Sequence, residues 1–191
     1  APLWVIAVCV LAYMNALGGP WVFDDLPAIV ENRHLPPGTF TEWFTAPAGS
    51  TASGRPLVAL SFALNHALSG FEVSGWRLTN LALHIFAAVA LLLLARDTLA
   101  RAGHERSREL AFSVAVLWSL HPLLSDAVNL IASRSELMVS LAYLSVLLCL
   151  TRSVGTARPW TALCVLASFC GMASKEVMVT APLVALAWDR A

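Results

Sequence analysis

The chain has 191 residues, of which 58% are apolar and 13% are charged, and its formal net charge is zero. A soluble domain is about 45–50% apolar and roughly 25% charged, so this composition argues against an ordinary soluble protein and favours a polytopic membrane protein. Because there is no excess of positive charge, nothing points to a nucleic acid as a partner.

Six uncharged apolar runs follow one another along the chain, and each predicts a helix. Several are shorter than the ~20 residues that cross a hydrocarbon layer about 30 Å thick. Their density nevertheless predicts an all-α membrane protein with about six transmembrane helices, and short spans imply a polar recess below the membrane surface. The runs are Leu3–Leu17, Leu78–Ala95, Leu110–Leu124, Leu137–Leu150, Trp160–Ala173 and Val177–Trp188.

The basic residues favour one orientation of these spans. If the first helix begins in the cytosol, the inner loops are RDTLARAGHERSRE, TRSVGTARP and the terminal DR, which hold most of the arginines. Residues 19–75 then form a large first outer loop. We expect short amphipathic helices in LPAIVEN, in GTFTEWFTAP and in Pro56–Leu68, with Asp24 or Asp25 capping the first of them.

Two adjacent carboxylates, Asp24 and Asp25, stand at the exit of the first span. They repel each other, so at least one needs a cation, a metal ion or a proton. One of them could act as a general base toward a hydroxyl. The alternative is a helix cap beside a solvated neighbour.

The second span carries Arg77, Asn80 and His84 at positions i, i+3 and i+7, which lie on one helix face. Polar side chains on a membrane helix normally face the bundle interior or a cavity. Arg77 could instead extend to the interface.

The stretch SLHPLLSDAVNLIASRSE forms a second polar cluster. We expect the proline after His121 to end or kink the third span. Asp126 then lies on a short amphipathic helix, and Arg134 and Glu136 begin the next span. An ion pair of Arg134 with Glu136 or with Asp126 is the structural alternative to a functional role.

The tripeptide SKE forms a tight turn between the last two runs. Lys175 is the single lysine among the twelve basic residues. A lysine and Glu176 at a hairpin need no function. Lys175 nevertheless supplies, together with Arg134, Arg55 and Arg77, enough positive charge on the outer face to hold a phosphate group.

Five motifs in this order resemble a known family: FDD; RPL followed by LSFALNHAL; W-R-L-x-N-L-x-L-H; HP-x-x-S-D-A-V-x-x-I-x-x-R-x-E; and SKE. Together they closely resemble the membrane region of the transmembrane and tetratricopeptide-repeat O-mannosyltransferases and their bacterial relatives, which are glycosyltransferases with the C-type fold. The family pattern continues into further spans and a repeat domain that this sequence does not contain. We therefore expect residues 1–191 to be part of a transmembrane glycosyltransferase domain.

The resemblance implies transfer of a sugar, with mannose expected, from a polyprenyl-phosphate carrier to an acceptor hydroxyl, with inversion. A protein Ser or Thr is among the candidate acceptors. Asp24 is the expected base and Asp25 its partner, while Arg134, Lys175 and Arg55 are expected to bind the donor phosphate. The remaining candidate site residues are His84, His121, Asp126, Glu136 and Glu176.

A single lysine and abundant Ala and Leu are typical of a GC-rich genome, so we expect a bacterial inner-membrane protein with its site facing the periplasm or exterior. In a eukaryote the site would face the lumen of the endoplasmic reticulum. The sequence leaves open whether Asp24 and Asp25 bind a divalent metal ion.

Two alternatives belong to other classes of protein. One is a secondary transporter in which His84, His121 and Asp126 relay protons. The other is a non-catalytic membrane scaffold that binds a lipid.

Overall fold

The computed structural model describes residues 1–153 and 157–189, apart from the side chains of residues 157, 158 and 189. This part of the chain consists of helices and turns without a strand. Its α-helices are α1 (Pro2–Tyr13), α2 (Pro56–Ser69), α3 (Val73–Arg101), α4 (Ser107–Ser119), α5 (Ser125–Asn129), α6 (Arg134–Ser153), α7 (Ala157–Met172) and α8 (Ala181–Asp189). Short helical turns occupy Met14–Ala16, Leu26–Val30, Phe40–Phe44, Pro122–Leu124, Ile131–Ser133 and Glu176–Thr180.

All six apolar runs are helical, so the prediction of an all-α membrane protein is confirmed. Two described helices are long and apolar enough to span a membrane, α3 with 29 residues and the segment Ile131–Ser153 with 23. A third candidate is α4 with Pro122–Asn129, a pair bent by 56° at the predicted proline break. The other apolar helices have 10–17 residues, too few to span alone, so spanning length is reached by two or three of the described helices rather than six.

The long helix α3 forms the centre of the bundle and packs against α1, α4 and α6. Alanines at its contact with α4, among them Ala88, Ala111 and Ala115, are fully buried and let the two backbones approach closely. On the other side of the bundle, α6 packs against α7 and α8.

The ends of the helices form two polar layers. At one end, Tyr13 Oη of α1 donates a hydrogen bond to the carbonyl of Ser119 at the end of α4, at 3.1 Å. At the other end, the Asp97 carboxylate of α3 accepts a hydrogen bond from Arg152 Nε of α6 at 2.8 Å. The second layer contains basic residues of the predicted inner loops, of which the Arg158 side chain and Arg190 lie outside the described residues.

The first outer loop folds onto the bundle around Trp76, which is fully buried against Phe62 and Ile131. The predicted helix at Pro56–Leu68 is α2, and GTFTEWFTAP contains the turn Phe40–Phe44, which begins with a capping box of Thr39 and Glu42. The loop is therefore a small folded layer that covers the polar ends of α3 and α6.

Candidate functional site

The two adjacent aspartates lie in different environments. Asp24 is exposed, whereas Asp25 is fully buried. Asp25 Oδ1 accepts a hydrogen bond from the backbone N–H of Ala132 at 2.8 Å, and its Oδ2 accepts one from the backbone N–H of Val22 at 3.4 Å. Neither aspartate caps the turn Leu26–Val30 through its side chain, so that prediction is wrong: the Asp25 carboxylate turns inward to the start of the segment Ile131–Ser153.

Burial is the main influence on Asp25 and raises the pKa of its carboxyl above the ordinary value for an aspartate. The hydrogen bonds from Ala132 and Val22 and the positive charge of Arg77 oppose this shift but do not cancel it. The pair thus consists of one solvated carboxylate on a turn and one buried carboxyl that holds the turn in place.

Arg134 is fully buried, and its guanidinium is surrounded by protein acceptors. Its Nε donates to Asn80 Oδ1 at 2.8 Å, its Nη1 to the Ser61 carbonyl at 3.2 Å, and its Nη2 to the Trp76 carbonyl at 3.1 Å. The guanidinium also lies over the Phe62 ring, 5.0 Å from its centroid. Arg134 therefore ties the start of α6 to α2 and α3.

This environment corrects two expectations about Arg134. It forms an ion pair with neither Glu136 nor Asp126; in the described part of the chain Glu136 pairs with Lys175, and Asp126 is exposed. A direct contact with the donor phosphate does not fit either, because the guanidinium has no exposed edge and its hydrogen bonds are used inside the protein.

Five residues from three parts of the chain form an ion-pair cluster: Arg55, Ser135, Glu136, Lys175 and Glu176. Arg55 Nη2 lies 3.1 Å from Glu176 Oε2, and Arg55 Nη1 donates to Ser135 Oγ at 3.3 Å. Lys175 Nζ pairs with Glu136 Oε1. The two cations are 21% and 24% exposed, so solvent and a ligand can reach them.

The carboxylates of the cluster are the more exposed members, with Glu136 at 50% and Glu176 at 73%. The backbone N–H of Glu176 itself lowers the pKa of its carboxyl, and Arg55 lowers it further. Both pairs are close enough to the surface for an anion to compete with the glutamates.

The start of α6 connects the acidic pair to the ion-pair cluster. Asp25 is bound at Ala132, whereas Arg55 and Lys175 are bound at Ser135 and Glu136. Four residues of helical backbone rise about 6–8 Å. The anchor of Asp25 and the two cations therefore lie close together along the start of α6, although 107 residues separate Asp25 from Ala132.

An apolar groove of about 380 Å³ leads away from the cluster between α2, α3, α6 and α7. Leu57 and Ser174 line one part of it. Ser174 directly precedes Lys175 in the sequence, and Leu57 is two residues after Arg55. Farther along, its walls come from leucines of α6 and α7 such as Leu141 and Leu163. One part of the groove thus lies next to the ion-pair cluster in the sequence, although none of the five cluster residues lines it.

His84 lies elsewhere, in a closed contact between α1, α3 and α4. It is fully buried, its Nε2 donates to the Ser119 carbonyl at 3.0 Å, and its ring stacks on Trp118 with centroids 5.4 Å apart. The prediction that it faces the bundle interior is confirmed, but its described contacts do not connect it to the acidic pair or to the ion-pair cluster.

His121 and Asp126 are exposed at the bend after α4. His121 Nδ1 accepts a hydrogen bond from the backbone N–H of Leu123 at 3.3 Å and so caps the short turn. Among the described contacts, no hydrogen bond connects His84, His121 and Asp126 directly.

Arg77 does not extend to the interface; it is 5% exposed and donates to the carbonyls of Ala16 and Pro20. It thereby fixes the chain between α1 and the acidic pair. A Cβ at Gly19 would clash with the guanidinium of Arg77, which would then have to shift from its present position.

Sequence reasoning did not single out Ser135, Ser61 or Trp76. Ser135 lies between the charged residues Arg134 and Glu136, and this position could have marked it as a candidate site residue. Ser61 and Trp76 contribute backbone carbonyls to Arg134, and carbonyls leave no mark in a sequence. Within the described residues, no group of three His, Cys, Asp or Glu side chains is placed to hold a metal ion.

The chain is similar to several proteins named protein O-mannosyl-transferases. It is 31% identical over 204 residues to Tmtc2 of Drosophila melanogaster, covering 98% of this chain, and 32% identical over 200 residues to TMTC1 of Mus musculus, covering 94%. TMTC3 of Mus musculus is 32% identical over 160 residues. The chain spans about a fifth of the length of these relatives, 21%, 21% and 17% respectively. No family model and no solved structure matches it.

Proposed function

Because the chain belongs to the family of the TMTC protein O-mannosyl-transferases, we propose that it contributes the catalytic site of a membrane mannosyltransferase. The donor is mannose on a polyprenyl phosphate, and the acceptor is a hydroxyl, in the first place that of a protein Ser or Thr. The site faces the side of the membrane opposite the cytosol, which is the periplasm or exterior in a bacterium and the lumen of the endoplasmic reticulum in a eukaryote.

One observation carries the proposal: the start of α6 binds Asp25, the sequence neighbour of Asp24, at Ala132 and the two cations at Ser135 and Glu136. Transfer from a sugar phosphate needs a base for the acceptor hydroxyl and positive charge for the phosphate that leaves. The anchor of the acidic pair and the two cations lie within about one turn of helix of each other.

In the proposed reaction, the acceptor oxygen attacks the anomeric carbon while Asp24 takes the hydroxyl proton. The bond from the anomeric carbon to the phosphate oxygen breaks, and the electron pair leaves with polyprenyl phosphate. This single displacement inverts the sugar. Asp24 suits the role of base because it is exposed, whereas Asp25 is buried and holds the turn through Ala132.

Arg55 and Lys175 bind the phosphate in this scheme. The phosphate replaces Glu176 and Glu136 as their partner, and these hydrogen bonds strengthen as negative charge develops on the leaving group. Arg134 is a positioning residue rather than a phosphate ligand, because its guanidinium is buried and hydrogen-bonded to protein.

The apolar groove accommodates the lipid part of the donor. It begins beside the ion-pair cluster and continues between apolar side chains, so a phosphate at Arg55 would place its isoprenoid chain at the mouth of the groove. A substrate with a charged head and a hydrocarbon tail accounts for both features together.

A divalent ion, which the sequence leaves open, would have to bind Asp24 together with oxygens of the donor phosphate, since both oxygens of Asp25 accept backbone hydrogen bonds. Transfer measured in EDTA and after addition of Mg²⁺ or Mn²⁺ decides whether the reaction uses one.

The test is a transfer assay in membranes that contain the protein, with radiolabelled polyprenyl-phosphate mannose as donor. We expect label to leave the lipid in wild type, and the donor KM to rise about ten-fold or more in Arg55→Ala, because a charge-assisted contact is lost. Arg33→Ala is the matched control, an exposed arginine of the same outer loop, and should behave as wild type. An unchanged donor KM in Arg55→Ala, or label that stays on the lipid in wild type, contradicts the proposal.

A further inference from the structure

Phe23, the residue before the acidic pair, is 84% exposed. Its backbone φ is +46°, the only positive φ of a non-glycine residue among those described. A bulky residue in this left-handed region is strained, whereas glycine adopts it freely. A large exposed apolar ring thus occupies a position whose backbone conformation favours glycine.

The turn that carries Phe23 is well fixed. Asp25 N–H donates to the Val22 carbonyl at 3.0 Å, and Leu26 N–H donates to the Phe23 carbonyl at 3.1 Å. The contact of Asp25 with Ala132 anchors the base of the turn to the bundle. Phe23 and Asp24 are therefore consecutive, exposed residues on a turn that these hydrogen bonds hold to the bundle.

We propose that Phe23 is a specificity-determining residue that contacts the acceptor polypeptide and aligns its hydroxyl with Asp24. This inference rests on the proposed function. In an inverting displacement the acceptor approaches the sugar from the side opposite the phosphate, so the base and its neighbours meet the acceptor, while Arg55 and Lys175 meet the donor.

Insertion of Phe23 into lipid explains the exposure less well. The ring is adjacent to the exposed Asp24 on a rigid turn, so burying the ring in hydrocarbon would draw a carboxylate into a medium where it is strongly disfavoured. Contact with a polypeptide leaves Asp24 in water until the acceptor hydroxyl arrives, which is what a general base needs.

The test compares Phe23→Ala, Phe23→Gly, Phe23→Leu and Phe23→Tyr with wild type in membranes. The donor is polyprenyl-phosphate mannose, and the acceptor is the best substrate from a set of synthetic peptides with one Thr each. Two rates are measured: transfer to peptide, and release of mannose to water without peptide.

We expect Phe23→Ala to raise the acceptor KM about ten-fold, as loss of a buried aromatic contact predicts, with an unchanged donor KM and an unchanged release to water. Phe23→Gly should raise the acceptor KM as much, although it melts at the same or a higher temperature because the strain is gone. Phe23→Tyr should retain the wild-type KM, and Phe23→Leu should not.

Phe40→Ala is the matched control. Phe40 is 79% exposed in the same outer loop, but it belongs to the turn Phe40–Phe44 that packs on α2. We expect it to leave the acceptor KM unchanged.

A wild-type acceptor KM in Phe23→Ala or in Phe23→Leu would overturn the inference, as would an equal rise in Phe40→Ala. Release of mannose to water without any peptide product in wild type also overturns it. Failure of wild type to cleave the donor at all contradicts the proposed function instead, so the two failures are distinguishable.

Discussion

Asp25 Oδ1 accepts a 2.8 Å hydrogen bond from the backbone N–H of Ala132, 107 residues farther along the chain. This contact connects the first outer loop to the start of α6, where Arg55 and Lys175 are also bound. The contact holds the turn that carries Asp24, the proposed base, close to the proposed phosphate site. We therefore expect a change that weakens the contact to disturb the geometry of the proposed reaction as well.

Replacing Asp25 tests the contact directly. In Asp25→Ala the buried N–H of Ala132 loses its acceptor, which costs about 1–3 kcal/mol. Asp25→Asn retains an oxygen at the same place and should lose less. Thermal unfolding of the purified protein in detergent measures the difference; equal melting temperatures for the two variants would show that the hydrogen bond contributes nothing.

The raised pKa of Asp25 predicts a dependence of stability on pH. Between the ordinary aspartate pKa of about 3.9 and the higher pKa of the folded protein, the folded state binds more protons than the unfolded state. The free energy of unfolding therefore decreases as pH rises through this window. Melting temperatures from pH 4 to 7 should fall more steeply in wild type than in Asp25→Asn, and parallel curves would contradict the assignment.

The pair of Arg55 with Glu176 predicts competition between a glutamate and the donor phosphate. In Glu176→Gln, Arg55 has lost its anionic partner before the donor binds. The phosphate then has no carboxylate to displace, so the donor KM should fall several-fold. The melting temperature should change little, because an exposed ion pair contributes about 1 kcal/mol or less.

The control is Glu109→Gln, which removes a similar surface ion pair with Arg106, 2.7 Å long, at the opposite end of the bundle. It should leave the donor KM unchanged. A donor KM that rises in Glu176→Gln would show that the glutamate assists donor binding rather than competing with it.

The buried network around Arg134 predicts a structural phenotype. Loss of the guanidinium leaves buried acceptors without a donor, which costs about 1–3 kcal/mol for each of them. Lysine cannot donate in the three directions that Asn80, Ser61 and Trp76 require, so Arg134→Lys should unfold nearly as easily as Arg134→Met. Asn80→Ala should add little to Arg134→Lys, because the two changes break the same contact.

These stabilities are measured by the fraction of protein that remains monodisperse after heating. A donor KM that rises in the folded fraction of Arg134→Lys, with an unchanged melting temperature, would restore Arg134 as a phosphate ligand.

Much of the fold is predictable from the sequence because helix formation leaves a local signal. Each apolar run forms a helix, and Pro122 breaks the third run as expected, since proline cannot continue an α-helix. The common face of Arg77, Asn80 and His84 follows from helical spacing alone, and all three side chains are buried.

The errors arise where long-range contacts decide the outcome. An aspartate before a short helix usually caps it, but Asp25 has a stronger acceptor role at Ala132, which no local pattern reveals. Arg134 stands among charged residues in the sequence, and no local pattern reveals that backbone carbonyls of α2 and α3 enclose it. The pairing of Arg55 with Glu176 likewise depends on how α2 meets the end of α7.

The central claim is that Asp24 is the base of a mannosyltransferase, and the most direct measurement is the initial rate of mannose transfer from polyprenyl-phosphate mannose by Asp24→Asn in membranes. Glu31→Gln, which changes an exposed carboxylate of the same outer loop, is the control. The account predicts a rate at least about 100-fold below wild type for Asp24→Asn, with a wild-type melting temperature, and a normal rate for Glu31→Gln. Transfer by Asp24→Asn at the wild-type rate would contradict it.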